Sequence, residues 1–216
     1  MLNKFSRYVC QNCGYETSQY FGRCMNCKEW NSIIEEEKSS VSKKNIIKKS
    51  KKSKLFTEIQ IPEISRIKTG FDEFNRVLGG GVVHGSIILL GGEPGIGKST
   101  LVLQAAGKMS LSDNVLYVTA EESLEQVKVR WARLNQRNSN LKVFAENNLS
   151  IIIQEIKETK PTIAIIDSIQ AINNSDLESA SGSVSQVRSC SSELQKFAKD
   201  NNIALLIIGH VTKDGT

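Results

Sequence analysis

The chain of 216 residues has room for one full domain and a small additional module, and its 39% hydrophobic and 24% charged residues are those of an ordinary soluble globular protein. No apolar run approaches the ~20 residues that a membrane-spanning helix needs, and the N-terminus lacks the apolar segment of a secretory signal. We therefore expect a cytoplasmic protein with no membrane partner, in which paired cysteines bind metal and do not form disulfides.

Two Cys-x-x-Cys pairs stand out near the N-terminus, Cys10 with Cys13 and Cys24 with Cys27. Four thiolates at this spacing bind one Zn²⁺ tetrahedrally, and two disulfides are the alternative that a reducing compartment disfavours. A module of this size buries too little apolar surface to fold alone, so the metal would supply its folding energy. Residues 1–36 are therefore predicted to be a zinc-binding module with a structural site, because four protein ligands leave no position for a substrate.

Residues 37–55 are polar, rich in Ser and Lys and without periodicity, which predicts a flexible linker. Positions 43–54 contain seven lysines and no acidic residue, so this segment alone outweighs the whole net charge of +5. Two interpretations remain open, a solvated linker or a contact with a phosphate backbone. The lysine run contains no aromatic residue on which a base could stack.

Residues 56–216 alternate apolar strand-like runs with helical patterns, which predicts an α/β domain with a parallel sheet covered on both faces. The predicted strands are residues 86–91, 115–119, 142–145, 162–167 and 203–209. The predicted helices are residues 100–109, 124–134, 149–158 and 184–199. Cys190 falls in the last of these helices and is interpreted as a buried small apolar residue. Because such sheets bind ligands beyond the carboxyl ends of their strands, functional residues should follow each run.

The segment from Gly92 to Ser99 fits the phosphate-binding pattern G-x-x-x-x-G-K-[ST]. It follows a predicted strand and precedes a predicted helix, so its backbone N–H groups would face a phosphate; the alternative is a chance Gly-rich turn. Lys98 is predicted to reach the β- and γ-phosphates of ATP, and Ser99 to hold Mg²⁺. The full set of predicted nucleotide contacts in this segment is Gly92, Glu93, Pro94, Gly95, Ile96, Gly97, Lys98, Ser99 and Thr100.

Polar residues follow three further strands. Asp167 ends one of them, and its carboxylate is predicted to hold a water on Mg²⁺. Glu121 and Glu122 follow another; Glu121 is predicted to position the attacking water, and the alternative is that both acids begin the next helix, where the helix dipole favours them. His210 follows the last strand and is either structural or, if that strand lies beside the phosphate-loop strand, a sensor of the γ-phosphate.

Together these motifs resemble the RadA (Sms) family of bacterial DNA-repair ATPases, a branch of the RecA-like group. Apart from the linker, the resemblance covers nearly the whole chain, and the order of zinc module and ATPase domain is specific to that family. The matching segments are residues 8–16 (YVCQNCGYE), 21–31 (FGRCMNCKEWN), 67–81 (IKTGFDEFNRVLGGG), 92–99, 117–123 (YVTAEES), 165–170 (IIDSIQ), 182–188 (GSVSQVR) and 209–215 (GHVTKDG).

The resemblance implies a RecA-like ATPase that binds single-stranded DNA, drives branch migration beside a recombinase of the RecA type, and works as a ring-shaped homo-hexamer. It implies that Glu121 activates water. It also implies that the strand ending at His210 lies between the phosphate-loop and Asp167 strands, which would bring His210 and Lys213 near the γ-phosphate or a neighbouring subunit. Residues 183–199 and the Ser- and Asn-rich residues 173–181, expected to be a mobile loop, would face DNA.

Members of that family continue with a K-N-R-F-G motif, further strands of the sheet and a Lon-protease-like domain, which lie beyond residue 216. We therefore expect a fragment of a longer protein or a degenerate gene product, and nucleotide binding needs only residues that are present. Two alternative functions remain open. One is a nucleotide- or DNA-binding remnant without turnover. The other is a RecA-like ATPase of the KaiC or DnaB type, against which the four-cysteine module argues.

Overall fold

The computed structural model describes residues 7–36, 53, 55–58, 65–134 and 140–210. The seven lysines between positions 43 and 54, nearly all of the predicted linker, and Lys213 lie outside the described residues. Within them the chain forms three sheets, of which the N-terminal one is small, the second is a two-stranded antiparallel pair, and the third is the main sheet.

The N-terminal sheet has three antiparallel strands in the order β2-β1-β3. Their bounds are β1 (Arg7–Cys10), β2 (Glu16–Thr17) and β3 (Ile33–Glu36). Only a handful of side chains form its core: Cys10, Cys24 and Ile33 are buried, and Tyr8 packs against them. Such a core is too small to hold this module together, so the cysteines must contribute through a metal.

The main sheet is parallel and has the strand order β6-β10-β9-β7-β8 among the described residues. This confirms the predicted parallel α/β architecture, and it puts the last strand between the phosphate-loop strand and the Asp167 strand, as the family resemblance implied. The strand bounds are β6 (Ile87–Gly92), β7 (Val115–Thr119), β8 (Lys142–Ala145), β9 (Ile163–Asp167) and β10 (Ala204–His210).

The helices cover both faces of this sheet, and their bounds are α1 (Asp72–Val77), α2 (Lys98–Met109), α3 (Leu124–Arg133), α4 (Leu149–Thr159) and α5 (Val184–Asn201). Side chains of α2 and α3 pack on one face and those of α4 and α5 on the other. Strands β7 and β9 are buried along their whole length because both of their faces are covered. No helix among the described residues is both long and apolar enough to cross a bilayer.

Local sequence determines where the helices begin. Ser123 accepts a hydrogen bond from the Gln126 backbone while the Gln126 side chain bonds the Ser123 backbone, a capping box that starts α3. Asn148 and Ser183 cap α4 and α5 in the same way, with their side-chain oxygens accepting from backbone N–H groups. The remaining short elements are β4 (Arg66–Ile67), β5 (Val82–Val83) and the 3₁₀ turns Phe56–Glu58 and Ile169–Ala171.

The Ser- and Asn-rich residues 173–181, expected to be a mobile loop, are instead hydrogen-bonded to α5. The buried Asn174 exchanges hydrogen bonds with Gln186 and donates to Ser189 and Glu193. Ser179 is also buried, and its carbonyl accepts from Gln186 Nε2 at 2.9 Å. The small polar residues of this segment therefore hold it against α5 through hydrogen bonds.

Leu103 and Leu111 offer a matched test of the packing of α2. Leu103 is fully buried between α2 and the sheet, whereas Leu111 is 66% exposed. We expect Leu103→Ala to lower the free energy of unfolding by about 2–5 kcal/mol, because it leaves a cavity in the core. Leu111→Ala should change it by less than ~0.5 kcal/mol. Urea unfolding followed by far-UV circular dichroism measures both, and equal effects would contradict the described packing.

Candidate functional site

The parallel register aligns the carboxyl ends of four strands at one edge of the main sheet. His210 at the end of β10 pairs with Gly92 at the end of β6, and Asp167 at the end of β9 pairs with Thr119 at the end of β7. The phosphate loop, His210, Asp167 and the turn that carries Glu121 therefore meet at this edge. This is the edge at which parallel sheets bind ligands.

The phosphate loop turns through two glycines in the left-handed region, Gly95 at φ +81° and Gly97 at φ +98°. Gly97 is the N-cap of α2, so the loop leads directly into the positive end of that helix. Lys98 is buried, and its Nζ donates to the carbonyl oxygens of Gly92 and Glu93, both at 2.8 Å. The ammonium group of Lys98 is thus bonded to the first residues of its own loop.

Asp167 is the point at which the loop, the sheet and α3 meet. Ser99 Oγ donates to Asp167 Oδ1 at 3.0 Å, and the Tyr117 hydroxyl donates to Oδ2. Arg130 Nη1 lies 3.9 Å from Oδ2. Burial and the negative charge of Asp167 both raise the pKa of Tyr117, so its hydroxyl stays protonated and remains a donor. The carboxylate is held in one orientation, with one oxygen directed to Ser99.

The two adjacent glutamates have different surroundings. Glu121 accepts from the Ser168 hydroxyl and lies 3.5 Å from His210 Nε2. Glu122 pairs with Arg130, and its backbone is closed onto Thr119 by two hydrogen bonds. Both acids precede the Ser123 cap, so neither lies in the first turn of α3 as the alternative interpretation expected. Glu121 thus lies beside His210, which in turn lies beside Lys98 of the phosphate loop.

His210 lies between the phosphate loop and Glu121. Its Nδ1 is 3.2 Å from Lys98 Nζ, and its Nε2 is the atom near Glu121. Its backbone carbonyl accepts from Gln170 Nε2 at 3.0 Å, which ties the end of β10 to the turn after β9. The structure thus brings together Lys98, Ser99, Glu121, Asp167 and His210, while the predicted contacts Pro94 and Ile96 lie on the exposed outer part of the loop.

Sequence reasoning missed Tyr117 and Arg130. Tyr117 was counted as an apolar strand residue, although a buried hydroxyl requires a partner. Arg130 occupies an inward position of α3, in the stripe formed with Val127, Trp131 and Leu134, and its Nη1 is buried without a hydrogen bond within the described residues. A charged residue in an otherwise apolar stripe was the available signal that α3 faces a carboxylate.

The four N-terminal thiols form a second site, and their geometry fits zinc. Their sulfur atoms all lie within 4.8 Å of one another, with 3.6 Å between the sulfurs of Cys10 and Cys27 and between those of Cys13 and Cys24. Zn–S bonds of about 2.3 Å require sulfur–sulfur separations near 3.8 Å in a tetrahedron. The described arrangement therefore matches a four-thiolate zinc site.

The electrostatics of the cluster also favour a bound cation. Burial raises the pKa of Cys10, but hydrogen bonds with Ser32 and with two backbone amides outweigh it and lower that pKa to about 6. The Glu29 backbone amide lowers the pKa of Cys27, but burial and the thiols of Cys13 and Cys24 raise it to about 11. Four thiolates this close repel one another, so they ionise together only around a metal.

Cys190 is separate from this cluster. It is fully buried in α5, and its pKa is raised to about 11 by burial and by the charge of Glu193. A buried thiol with a raised pKa is unreactive at neutral pH. The structure thus agrees with its interpretation as a small apolar core residue.

A phosphate loop and a carboxylate at the end of another buried strand of the same parallel sheet define the class of P-loop ATPases. Comparison with known proteins agrees with this class. The family model described as "AAA domain" matches residues 55–216, and that described as "Rubredoxin metal binding domain" matches residues 8–35.

Several curated relatives match nearly the whole chain, and all of the following are called DNA repair protein RadA. The Listeria monocytogenes protein is 47% identical over 97% of this chain and 47% of its own length. The Bacillus subtilis protein is 46% identical over 100% of this chain and 49% of its own length. A Streptococcus pyogenes protein is 48% identical over 100% of this chain and 48% of its own length. The chain belongs to the RadA family of AAA-domain proteins. It spans about half the length of these curated relatives.

Two solved structures share the fold. A solved structure of an ATPase domain superposes with a TM-score of 0.58 at 20% identity, over 70% of this chain and 66% of that one. A DnaB-like replicative helicase superposes with a TM-score of 0.59 at 19% identity, over 71% of this chain and 45% of that one. At this level of identity the likeness concerns the fold alone.

The zinc site predicts a difference between cysteines. Cys24→Ser removes one of the four thiolates, so the zinc content should fall from about one ion per chain to well below that. Cys190→Ala, the matched control, should keep a full complement because Cys190 lies outside the cluster. Elemental analysis of the purified variants measures both. Full zinc in Cys24→Ser, or loss of zinc in Cys190→Ala, would contradict the assignment.

Proposed function

We propose that this chain provides the nucleotide site of a DNA-dependent ATPase of recombinational DNA repair that processes or branch-migrates recombination intermediates. The observation that carries the proposal is the hydrogen bond of 3.0 Å between Ser99 of the phosphate loop and Asp167 at the end of β9. Two hard oxygen donors at this separation fit Mg²⁺, which prefers such ligands and binds beside nucleotide phosphates.

The phosphate loop residues from Gly92 to Thr100 would bind the phosphates of ATP. Their backbone N–H groups and the N-terminus of α2 attract negative charge, and Lys98 supplies the one buried cation of the loop. Within the described residues, the partners of Lys98 Nζ are two carbonyl oxygens and His210, and a phosphate oxygen can replace these weaker partners. Mg²⁺ would neutralise charge on the phosphates, and Ser99 and Asp167 would hold it.

Glu121 would activate the water that attacks the γ-phosphate. Its side chain is 47% exposed, and its carboxylate is oriented by Ser168 on the same edge of the sheet as Lys98. The carboxylate of Glu122 pairs with Arg130 and its backbone closes the turn, so Glu121 is the better placed of the two acids to accept a proton from water. The different partners of Glu121 and Glu122 support the assignment of Glu121 as the residue that activates water.

His210 would sense the γ-phosphate. It touches both the cation that binds the phosphates and the acid that activates water, so a change at either side reaches the other. Its bond to Gln170 carries that change to the turn that leads toward residues 173–181. The strand order β6-β10-β9 supports this role because it seats His210 between Lys98 and Asp167.

The wider assignment follows the family. We propose single-stranded or branched DNA as the substrate, a recombinase of the RecA type as a partner, a homo-hexamer as the state of the full-length form, and the cytoplasm as the location. The division into a zinc module at 1–36, a linker at 37–55 and an ATPase domain at 56–216 belongs to the same proposal. It is supported by the RadA relatives and by the zinc-fitting cluster.

Glu121→Gln tests the catalytic assignment. The variant keeps the size of the side chain but cannot accept a proton, so ATP hydrolysis by the 216-residue chain with single-stranded DNA should fall by about 10²–10⁴-fold while ATP binding is retained. Glu125→Gln is the matched control, because Glu125 lies on the solvent face of α3. Phosphate release and equilibrium binding measure the two properties. Equal hydrolysis by both variants would contradict the role of Glu121.

A further inference from the structure

The exposed large side chains of the N-terminal module differ in kind from those of the main domain. In the module, four of the five exposed large apolar residues are aromatic: Tyr15, Tyr20, Phe21 and Trp30. In the rest of the described residues, the exposed large apolar side chains are all aliphatic. Aliphatic side chains scattered singly on a surface are normal, whereas grouped aromatic ones indicate a binding surface.

Three of these aromatic residues belong to one hairpin, residues 20–31, which we call the aromatic hairpin. The Asn31 backbone donates to Gly22 O at 2.9 Å, so residues 20–23 lie beside residues 30–31. Arg23 and Trp30 are direct partners across this pairing. Tyr20, Phe21 and Trp30 are therefore carried by adjacent segments of backbone.

The three rings of the aromatic hairpin lie outside the module's buried core. That core consists of Cys10, Cys24 and Ile33 with their neighbours, and it includes none of the three rings. Trp30 is 66% and Tyr20 58% exposed, and the ring contact of Tyr20 among the described residues is edge-on with Tyr8, at 5.9 Å between centroids. Folding gains little from rings in these positions, so a ligand accounts for them better than packing does.

The charges of the hairpin favour an anionic ligand with flat faces. The Arg23 guanidinium lies 5.4 Å from the centre of the Trp30 ring, and Arg23 Nε donates to the carbonyl of Lys28 at 2.7 Å. Lys28 is itself exposed, and Glu29 is the hairpin's single acid. A guanidinium beside an exposed indole, with a second exposed cation in the same hairpin, suits a nucleotide, whose base can stack on the ring while its phosphate binds the cations.

We propose that the aromatic hairpin binds single-stranded nucleic acid by stacking unpaired bases on Trp30 and its neighbours. Unpaired strands present free base faces, whereas a duplex hides them, so the surface selects single strands without reading sequence. Residues 173–181, which the family resemblance directs toward DNA, carry the exposed acids Asp176 and Glu178 and no aromatic residue. The hairpin thus supplies a stacking contact that this segment of the main domain lacks.

The chain offers a direct optical test, because it has two tryptophans, Trp30 and Trp131. In the Trp131→Phe variant, Trp30 is the sole tryptophan, and we expect oligothymidylate to quench its fluorescence saturably in the absence of nucleotide. A duplex of the same length should not quench it. The readout needs no ATP, so failure of the proposed ATPase activity would leave this result unaffected.

Affinity measurements on the wild-type background provide the second arm. Trp30→Ala should weaken binding of a labelled oligothymidylate about 5–150-fold at low salt, since one stacked base contributes ~1–3 kcal/mol. Trp30→Phe should restore much of that loss, and Leu111→Ala, another exposed apolar residue, should bind like the wild type. The zinc content of each variant reports whether the module is folded.

The proposal would be overturned if oligothymidylate bound the chain without changing Trp30 fluorescence, or if folded Trp30→Ala bound it as tightly as the wild type. Absence of binding at low salt would overturn it as well. A response of Trp30 to a partner protein but not to oligothymidylate would assign the hairpin to protein recognition instead.

Discussion

The buried carboxylate of Asp167 is the point on which the geometry of the site depends. It ends the central strand β9 and is bonded by Ser99 from the phosphate loop and by Tyr117 from β7, with Arg130 of α3 nearby. One carboxylate thus fixes the loop, the sheet and α3 relative to one another. Because a buried charge must be paired to be tolerated, each of these contacts also stabilises the fold that positions it.

Two parts of the chain solve the problem of stability in different ways. The main domain buries whole strands between two layers of helices, so polar residues at one edge of the sheet do not reduce the apolar packing of its core. The N-terminal module has almost no apolar core and depends on four thiolates and a metal. Because the metal would hold the module together, its aromatic rings are not needed for a core, and Trp30 can remain exposed there.

Much of the fold was predictable, because parallel strands buried on both faces leave a clear apolar signal in the sequence. Strand β7 has the predicted bounds, and β9 begins one residue later than predicted. The phosphate loop was predicted from its sequence motif, and Asp167 from its position at the end of a predicted strand. The partners of Asp167 were not predictable, since Tyr117 and α3 come to lie beside it through strand pairing and helix packing between segments that are distant in the sequence. Neither was the attachment of residues 173–181, because Ser and Asn are typical of free loops and also of hydrogen-bonded ones.

Binding of ATP with and without Mg²⁺ tests most directly whether Ser99 and Asp167 hold the metal of the nucleotide. Asp167→Asn keeps the shape of the side chain and the bond to Tyr117 but removes the charge. We expect it to weaken the Mg²⁺-dependent part of ATP affinity by about 10–100-fold and to leave binding in chelator unchanged. Asp176→Asn, at an exposed position, should behave like the wild type. An unaltered Mg²⁺ dependence in Asp167→Asn would contradict the account.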